Sequence, residues 1–283
     1  AINDKKEVFV AGTTSSNPFP VTAGAYKSTY KIRSGFVLKL NPTGSNLEYS
    51  TYVYGFDNLH DMALNSKGEV YITGYGKNNV FETTPGSFQP NSPGNENAQV
   101  MRLNATGTNV IYSTYLGGKG HDRGLDIEVN NNDEAFVTGY TYGSSTDFPV
   151  STGAFQTAPV AGSIMDAFVT KLKADGSGIV FSTRLGGKSV DRGYAIDIDQ
   201  FGAAYVTGST DSDDFPVTPG AYQSNISTKG LGKQDIFITK VAPDGKSIVY
   251  STYVGGDNYP STSWGTGQKG TGIAVSSKGE AFV

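Results

Sequence analysis

Cysteine is absent from this sequence of 283 residues, and histidine and tryptophan are scarce. A chain without cysteine has no disulfide, no thiolate nucleophile and no cysteine-ligated metal site. Its two histidines, His60 and His121, stand in neither a nucleophile motif nor a zinc-binding motif. No apolar run approaches the ~20 residues that span a bilayer as a helix. The sequence therefore gives little support for catalysis and predicts no membrane span.

A basic excess is also missing, because 22 Lys and Arg residues stand against 26 Asp and Glu residues, for a net charge of −4. Without a basic field we expect no nucleic-acid partner. Aromatic residues and glycine are abundant instead, with 17 Tyr, 15 Phe and 37 Gly. Since tyrosine and phenylalanine favour strands and glycine favours tight turns, the composition predicts an all-β chain.

One segment recurs along the chain. The stretch AAYVTGSTDSDDFPVTPGAYQ, which ends at Gln223, has close variants that begin at Glu7, Glu69 and Glu134. The glycine that closes the first strand of each copy is Gly12, Gly74, Gly139 and Gly208, at spacings of 62, 65 and 69 residues. A second motif, YSTY or FSTR, keeps step with it. The chain is therefore a tandem array.

Each repeat contains four strand-like runs. In the best example they are residues 194–199, 204–208, 235–241 and 247–256, separated by short turns with glycine such as QFG and APDGK. Such turns join antiparallel strands. The middle two runs are apolar or threonine on both faces, so both faces of each sheet must be covered. Four-stranded sheets arranged around a channel, a β-propeller, satisfy this pattern. A linear β-solenoid or a string of sandwiches is the alternative.

The approximate repeats are residues 1–63, 64–128, 129–197 and 198–273, followed by a partial repeat at 274–283. Residues 1–10 align with residues 274–283, so both ends of the sequence fall inside a repeat. We expect four full blades and part of a fifth, forming a segment of a larger ring.

The pattern AYVTG, DFPVTPGAYQ, DAFVTKL and YSTYLGG, followed by D-x-G, resembles the SBBP (beta-propeller) repeat over essentially the whole sequence. The unit at Gly208 fits best, whereas the unit at Gly74 departs from the pattern with VFETTPGSFQ and QVMRL. The resemblance implies a large secreted or surface-exposed bacterial protein. It implies no particular activity.

Each long loop carries two aromatic residues. The first is Phe19, Phe81, Phe148 or Phe215, and the second is Tyr26, Phe88, Phe155 or Tyr222. Because these aromatics recur in every repeat, we expect them to pack each loop onto its own blade and not to bind a ligand.

Acidic and basic residues recur before each inner strand. Asp57, Asp122 and Asp191 share one repeat position, and Arg123 and Arg192 follow two of them. A ring of carboxylates suits Ca2+, and Asp with Arg suits a sugar. The structural alternative, which we favour, is that each Asp caps backbone N–H groups of the turn that enters the inner strand. Apart from Ca2+, the sequence predicts no cofactor.

One aromatic pair does not repeat. Trp264 and Tyr259 lie in the irregular insertion DNYPSTSWGTGQKG of the last repeat. Departures from a repeat are not required by the scaffold, so this pair is a second candidate ligand site beside Arg123 and Arg192.

These observations favour a non-catalytic binding or structural module of an extracellular or cell-surface protein, such as an adhesin or surface assembly. The expected partners are other domains or subunits of that assembly, or a glycan. The alternative is a glycan-active hydrolase or lyase with acidic residues in the central channel.

Overall fold

The computed structural model describes residues 1–32, 34–77, 80–227, 234–256 and 268–283. The described residues contain strands and turns and no helix, and thus no helix that could cross a membrane. The chain folds into two compact units. One comprises Ala1–Ala135 with Leu172–Gly178, and the other comprises Phe136–Lys171 with Ile179–Val283.

The described residues contain seventeen strands, and the strands that pair within the sheets do so in antiparallel register. The first sheet has three strands, β1 (Val8–Thr14), β2 (Ser34–Leu40) and β3 (Leu47–Tyr54). The second has four, β4 (Asn58–Leu64), β5 (Val70–Lys77), β6 (Glu96–Leu103) and β7 (Val110–Leu116).

The third sheet consists of β8 (Asp122–Val129), β9 (Ala135–Tyr142), β10 (Met165–Leu172) and β11 (Ile179–Leu185). The fourth consists of β12 (Asp191–Ile198), β13 (Ala204–Thr210), β14 (Asp235–Val241) and β15 (Ile248–Val254). A pair of two-residue strands follows, β16 (Ala274–Val275) and β17 (Ala281–Phe282). The expected four-stranded meander is confirmed, and the predicted strand at 235–241 has the same bounds as β14.

The inner strands β4 and β12 each contain a β-bulge at the same repeat position, between Leu59 and Asp61 and between Gly193 and Ala195. Beyond the bulge, acidic residues link successive inner strands. The Asp61 carboxylate accepts the backbone N–H of Ile127 at 3.3 Å, and the Asp197 carboxylate accepts that of Val275 at 2.6 Å. These inner-strand acids therefore satisfy backbone donors of the next repeat.

The first aromatic residue of the long loops packs on the sheet of its own repeat, as predicted. Phe148 lies 4.8 Å from Phe168 between ring centroids, and Phe215 lies 4.6 Å from Phe237, each within its own sheet. The threonine of the YSTY motif accepts a loop N–H, as in the 2.9 Å bond from Gln223 to Thr252. Each loop is thus fixed to the outer strand of its own sheet.

In the first three loops the second aromatic residue reaches further than expected, because its backbone binds the following repeat, whereas Tyr222 of the fourth loop is exposed and does not pack on its blade as predicted. The N–H groups of Tyr26, Phe88 and Phe155 donate to the carbonyl oxygens of Gly107, Gly176 and Gly245, at 3.0, 2.8 and 2.9 Å. These glycines stand in the hairpin that joins the third and fourth strands of the next repeat. Their φ values are 65°, 68° and 71°, a region that favours glycine.

The same three glycines lie against an aromatic ring. A Cβ atom added to Gly107, Gly176 or Gly245 would overlap Tyr49, Tyr112 or Phe181, the first residue of the preceding YSTY or FSTR motif. We call each such ring, together with the loop N–H beside it, a hairpin seat. Since the three ring residues are buried, the seats are closed contacts between successive repeats.

Candidate functional site

Of the three predicted metal-binding aspartates, Asp191 and Asp122 have no exposed surface. One carboxylate oxygen of Asp191 accepts the backbone N–H of Gly187 at 2.8 Å and the Ser212 hydroxyl at 2.8 Å. The other accepts the Thr210 hydroxyl at 2.5 Å. Burial raises the pKa of Asp191 to about 7, against these hydrogen bonds, which favour the ionised form.

Such a pKa suits a general acid, but a carboxyl group without exposed surface cannot reach a substrate. Asp191 holds the turn between β11 and β12, which is the capping role that we favoured from the sequence.

The other two aspartates also accept backbone N–H groups. Asp122 is buried and accepts from Gly118 at 2.7 Å, in the turn between β7 and β8. Asp57 accepts instead from Lys77 at 3.1 Å, at the end of β5. Among the described residues no three His, Cys, Asp or Glu side chains form a group suited to a metal ion. Calcium binding therefore stays a prediction without a described set of ligands.

Arg123 and Arg192 pack on tyrosines of the preceding repeat. The guanidinium carbon of Arg123 lies 4.1 Å from the centroid of the Tyr75 ring, and that of Arg192 lies 5.5 Å from the Tyr140 ring. Both pairs are within cation–π distance. Each of the two predicted ligand-binding arginines thus makes a packing contact with the preceding repeat.

The glycine of the D-x-G motif makes a third contact of this kind. A Cβ atom on Gly124 or Gly193 would overlap the hydroxyl oxygen of Thr73 or Thr138 in the preceding repeat, and Gly270, where Gln268 replaces the aspartate, stands in the same way against Thr207. The whole motif is therefore explained by packing between repeats. Its aspartate holds the turn, its arginine covers a tyrosine, and its glycine leaves room for a threonine.

Arg123 differs from Arg192 because it also binds a buried acid. Its Nε atom donates to Glu96 at 2.5 Å, and Glu96 is 1% exposed. Lys77 Nζ lies 3.3 Å from the same carboxylate, and His121 Nδ1 lies 3.6 Å from it. We call Glu96, Lys77, His121, Arg123 and Tyr75 the Glu96 cluster. Its lysine and histidine are each about half exposed, at 47%, and its arginine is 31% exposed.

An imidazole extends the Glu96 cluster along β4. The His60 ring stacks on the Tyr75 ring of the cluster, with 5.5 Å between the ring centroids and 29° between the ring planes. Asn58 donates to the Tyr75 hydroxyl at 2.6 Å. Partial desolvation and the nearby Arg123 charge lower the pKa of His60, although its ring still reaches solvent. His60 therefore offers a neutral, flat face to a ligand near pH 7.

Glu96 orders the cations around it. Burial opposes its ionisation, but the hydrogen bonds and charges of Arg123 and Lys77 outweigh that effect and lower the pKa of Glu96. A carboxylate that stays ionised while buried keeps both basic side chains directed toward it. The cluster thus combines fixed donors with an aromatic platform.

Residues 180–216 match the SBBP family model, which describes a beta-propeller repeat. The chain carries the SBBP repeat. The matched stretch covers nearly all of β11, all of β12 and β13, and the start of the following long loop. The resemblance predicted from the sequence is confirmed, and with it the all-β propeller fold. No curated protein matches the chain.

Several solved structures resemble this chain. An acylaminoacyl peptidase has 9% identity and a TM-score of 0.40, over 89% of this chain and 31% of its own. A mutant of Synechocystis apocarotenoid oxygenase has 12% identity and a TM-score of 0.36, over 78% of this chain and 44% of its own. Kuenenia stuttgartiensis hydrazine synthase has 9% identity and a TM-score of 0.34, over 90% of this chain and 70% of its own. This chain spans less than half the length of the first two, and scores this low assign it no activity.

The remaining predicted ligand residues, Trp264 and Tyr259, lie outside the described residues. Sequence reasoning missed Glu96, although a signal for it exists. Glu96 pairs with Lys77 across β5 and β6, and the same SBBP repeat position holds Met165 and Gln234 in the next two sheets. A glutamate at a position where the next two repeats have no charged residue is the sequence signal for this site.

Proposed function

We propose that the chain is a non-catalytic binding module of a secreted or cell-surface bacterial protein, of the adhesin or surface-assembly kind, and that the Glu96 cluster is its glycan-binding site. One observation carries the proposal. Exposed donors that do not recur in the other sheets, Lys77 and His121, are gathered around a buried carboxylate beside an accessible imidazole face.

Two features of the cluster suit a sugar ligand. The His60 ring, stacked on Tyr75, offers a flat surface to the apolar face of a sugar ring. Arg123 and Lys77 supply charged donors for hydroxyl or carboxylate oxygens, and Glu96 fixes their positions. Because the other sheets largely repeat the same residues, we assign the glycan specificity of the module to the Glu96 cluster, which does not recur.

A glycan-active hydrolase or lyase is not proposed. Its best candidate acid, Asp191, has a suitable pKa but no exposed surface, and its oxygens bind Thr210, Ser212 and Gly187. Asp122 is equally buried.

The test is a binding screen against neutral and uronic-acid oligosaccharides, followed by calorimetric titration of any that bind. The variants are Arg123→Gln and the matched control Arg192→Gln, which occupies the same repeat position without a glutamate partner. We expect Arg123→Gln to weaken binding at least about tenfold, equivalent to about 1.4 kcal/mol, and Arg192→Gln to change it less than about twofold. Equal losses in the two variants, or no oligosaccharide bound by the wild type, would overturn the proposal.

A further inference from the structure

A cleft of about 530 Å3 lies between the first and second repeats and shares no residue with the Glu96 cluster. Its lining comes mainly from the turns at residues 3–7 and 65–68, from Lys39 of β2, and from Ala105 and Thr106 in the hairpin that joins β6 and β7. All of these residues belong to the first of the two compact units. We call the contact region between two successive repeats a joint, so the cleft is a feature of the first joint.

The next joint, between the second and third repeats, has four charged side chains at the corresponding place. Arg102 pairs with Glu69 at 2.5 Å and with Asp133 at 2.9 Å. Lys67 pairs with the same Asp133 carboxylate. Two cations thus face two carboxylates, and the following repeat supplies one of these carboxylates, that of Asp133. The charges at this joint are balanced.

The first joint has three of these four charges and lacks the carboxylate from the following repeat. Its residues at the corresponding repeat positions are Lys39, Lys5, Glu7 and, in place of the aspartate, Gly68. Lys39 pairs with Glu7 at 2.8 Å, and both side chains are only 16% exposed. Hydrogen bonds from Lys39 and Asn3, with a smaller contribution from the charge of Lys5, hold the pKa of Glu7 below its usual range. Two cations therefore share one carboxylate.

The same replacements leave the space in the first joint. Gly68 has no side chain, and among the described residues a Cβ added to it would have only Ala105 within 4 Å, at 3.9 Å. Lys39 ends in a single ammonium group, whereas the guanidinium group of Arg102 extends to the Ala174 carbonyl oxygen at 2.8 Å. The cleft is therefore the space that an aspartate and an arginine occupy in the next joint.

We propose that this cleft binds a small organic carboxylate, whose carboxyl group takes the place that the Asp133 carboxylate has in the next joint and pairs with Lys39 and Lys5. Hydrogen bonds between an ammonium group and a carboxylate are among the strong ones in proteins. The volume of the cleft lies within the ~300–1,000 Å3 that is typical of small-molecule sites, so there is room for the rest of the ligand. The lining has an excess of positive charge, because its charged residues are three lysines and two acids, Lys5, Lys39, Lys67, Asp4 and Glu7.

The test is a ligand-observed NMR titration of the wild-type chain with succinate and with citrate, and with succinamide as the neutral counterpart of succinate. The main variant is Gly68→Asp, which supplies the missing carboxylate from the protein itself. Asp133 has a φ of 64° and Gly68 has a φ of 76°, so an aspartate suits this turn. Gly202→Asp is the matched control, since Gly202 has a φ of 83° and stands at the same repeat position in the fourth repeat.

A second pair of variants tests the lysines. Lys5 lines the cleft, whereas the neighbouring Lys6 does not. Both side chains belong to exposed residues, so Lys5→Gln and Lys6→Gln should fold, and each removes one positive charge from the same turn.

We expect succinate or citrate to bind the wild type, Gly68→Asp to weaken that binding at least about tenfold, and Lys5→Gln to weaken it about fivefold. The controls Gly202→Asp and Lys6→Gln should change it less than about twofold. The proposal would be overturned if neither carboxylate binds, if succinamide binds as tightly as succinate, or if inorganic phosphate binds as tightly as the carboxylates. Equal effects of each variant and its control would overturn it as well.

Discussion

The guanidinium group of Arg102 donates to the carbonyl oxygen of Ala174, 2.8 Å away, and so ties the second sheet to a hairpin of the third repeat. The same side chain pairs with Glu69 at 2.5 Å and with Asp133 at 2.9 Å. Arg102 is buried, and two carboxylates depend on it. Arg102 thus joins two repeats through a carbonyl oxygen and a carboxylate of the following one.

We expect Arg102→Met to destabilise the chain by about 3 kcal/mol, since removing one partner of a buried ion pair leaves charge uncompensated. Lys39→Met is the matched control. Lys39 stands at the same repeat position and pairs with Glu7 at 2.8 Å, near the surface, so its loss should matter less. Urea denaturation of both variants compares them. A Lys39→Met loss as large as that of Arg102→Met would contradict the assignment.

The Asp191 carboxyl predicts a pH dependence of stability. Its pKa is about 7 in the folded chain and about 3.9 in an unfolded one, so between these values the folded state holds a proton that the unfolded state has released. Stability from this group is therefore complete below about pH 4 and is lost as the pH rises to about 7.

Asp191→Asn removes this titration. Relative to the wild type, the variant should gain about 3 kcal/mol of stability between pH 5 and pH 8, since the wild type loses about 1.4 kcal/mol for each of the roughly two pH units between pH 5 and its pKa of about 7. Denaturant midpoints of both proteins at several pH values measure the difference. A constant offset between the two curves would show that Asp191 does not titrate in this range.

The glycine of the D-x-G motif lies against a threonine of the preceding repeat, so we expect substitutions at the two positions to affect stability jointly. Gly193→Ala should cost about 1–3 kcal/mol, as overpacking does, because its Cβ meets the Thr138 hydroxyl. The loss should shrink in a Thr138→Ala background, where that hydroxyl is gone. Gly272→Ala is the control, with no described atom within 4 Å of its Cβ. Additive effects of Gly193→Ala and Thr138→Ala would argue against the contact.

Much of this architecture follows from the sequence, because the repeat supplies several aligned examples of each strand and turn. The four-strand unit and the capping role of Asp122 and Asp191 were predictable from turn chemistry alone. The roles of Arg123 and Arg192 were not, since their partners Tyr75 and Tyr140 stand in the preceding repeat and no local pattern links them.

The Glu96 cluster was hidden for a different reason. Glu96 occupies an ordinary strand position, and its cations come from the end of β5 and the start of β8. Only the folded chain brings these positions together. The hairpin seats were concealed in the same way, because a glycine in a turn is explained locally by its φ value and its second role, making room for an aromatic ring, lies in another repeat.

The central claim is that repeated residues join successive repeats, and the unfolding free energies of Gly176→Ala and Gly44→Ala test it most directly. Both glycines have a φ of 68°, so alanine should strain both turns by about 1–2 kcal/mol. Only Gly176 faces a ring, that of Tyr112. We predict that Gly176→Ala loses at least about 2 kcal/mol more than Gly44→Ala, by overpacking. Equal losses in the two variants would contradict the claim.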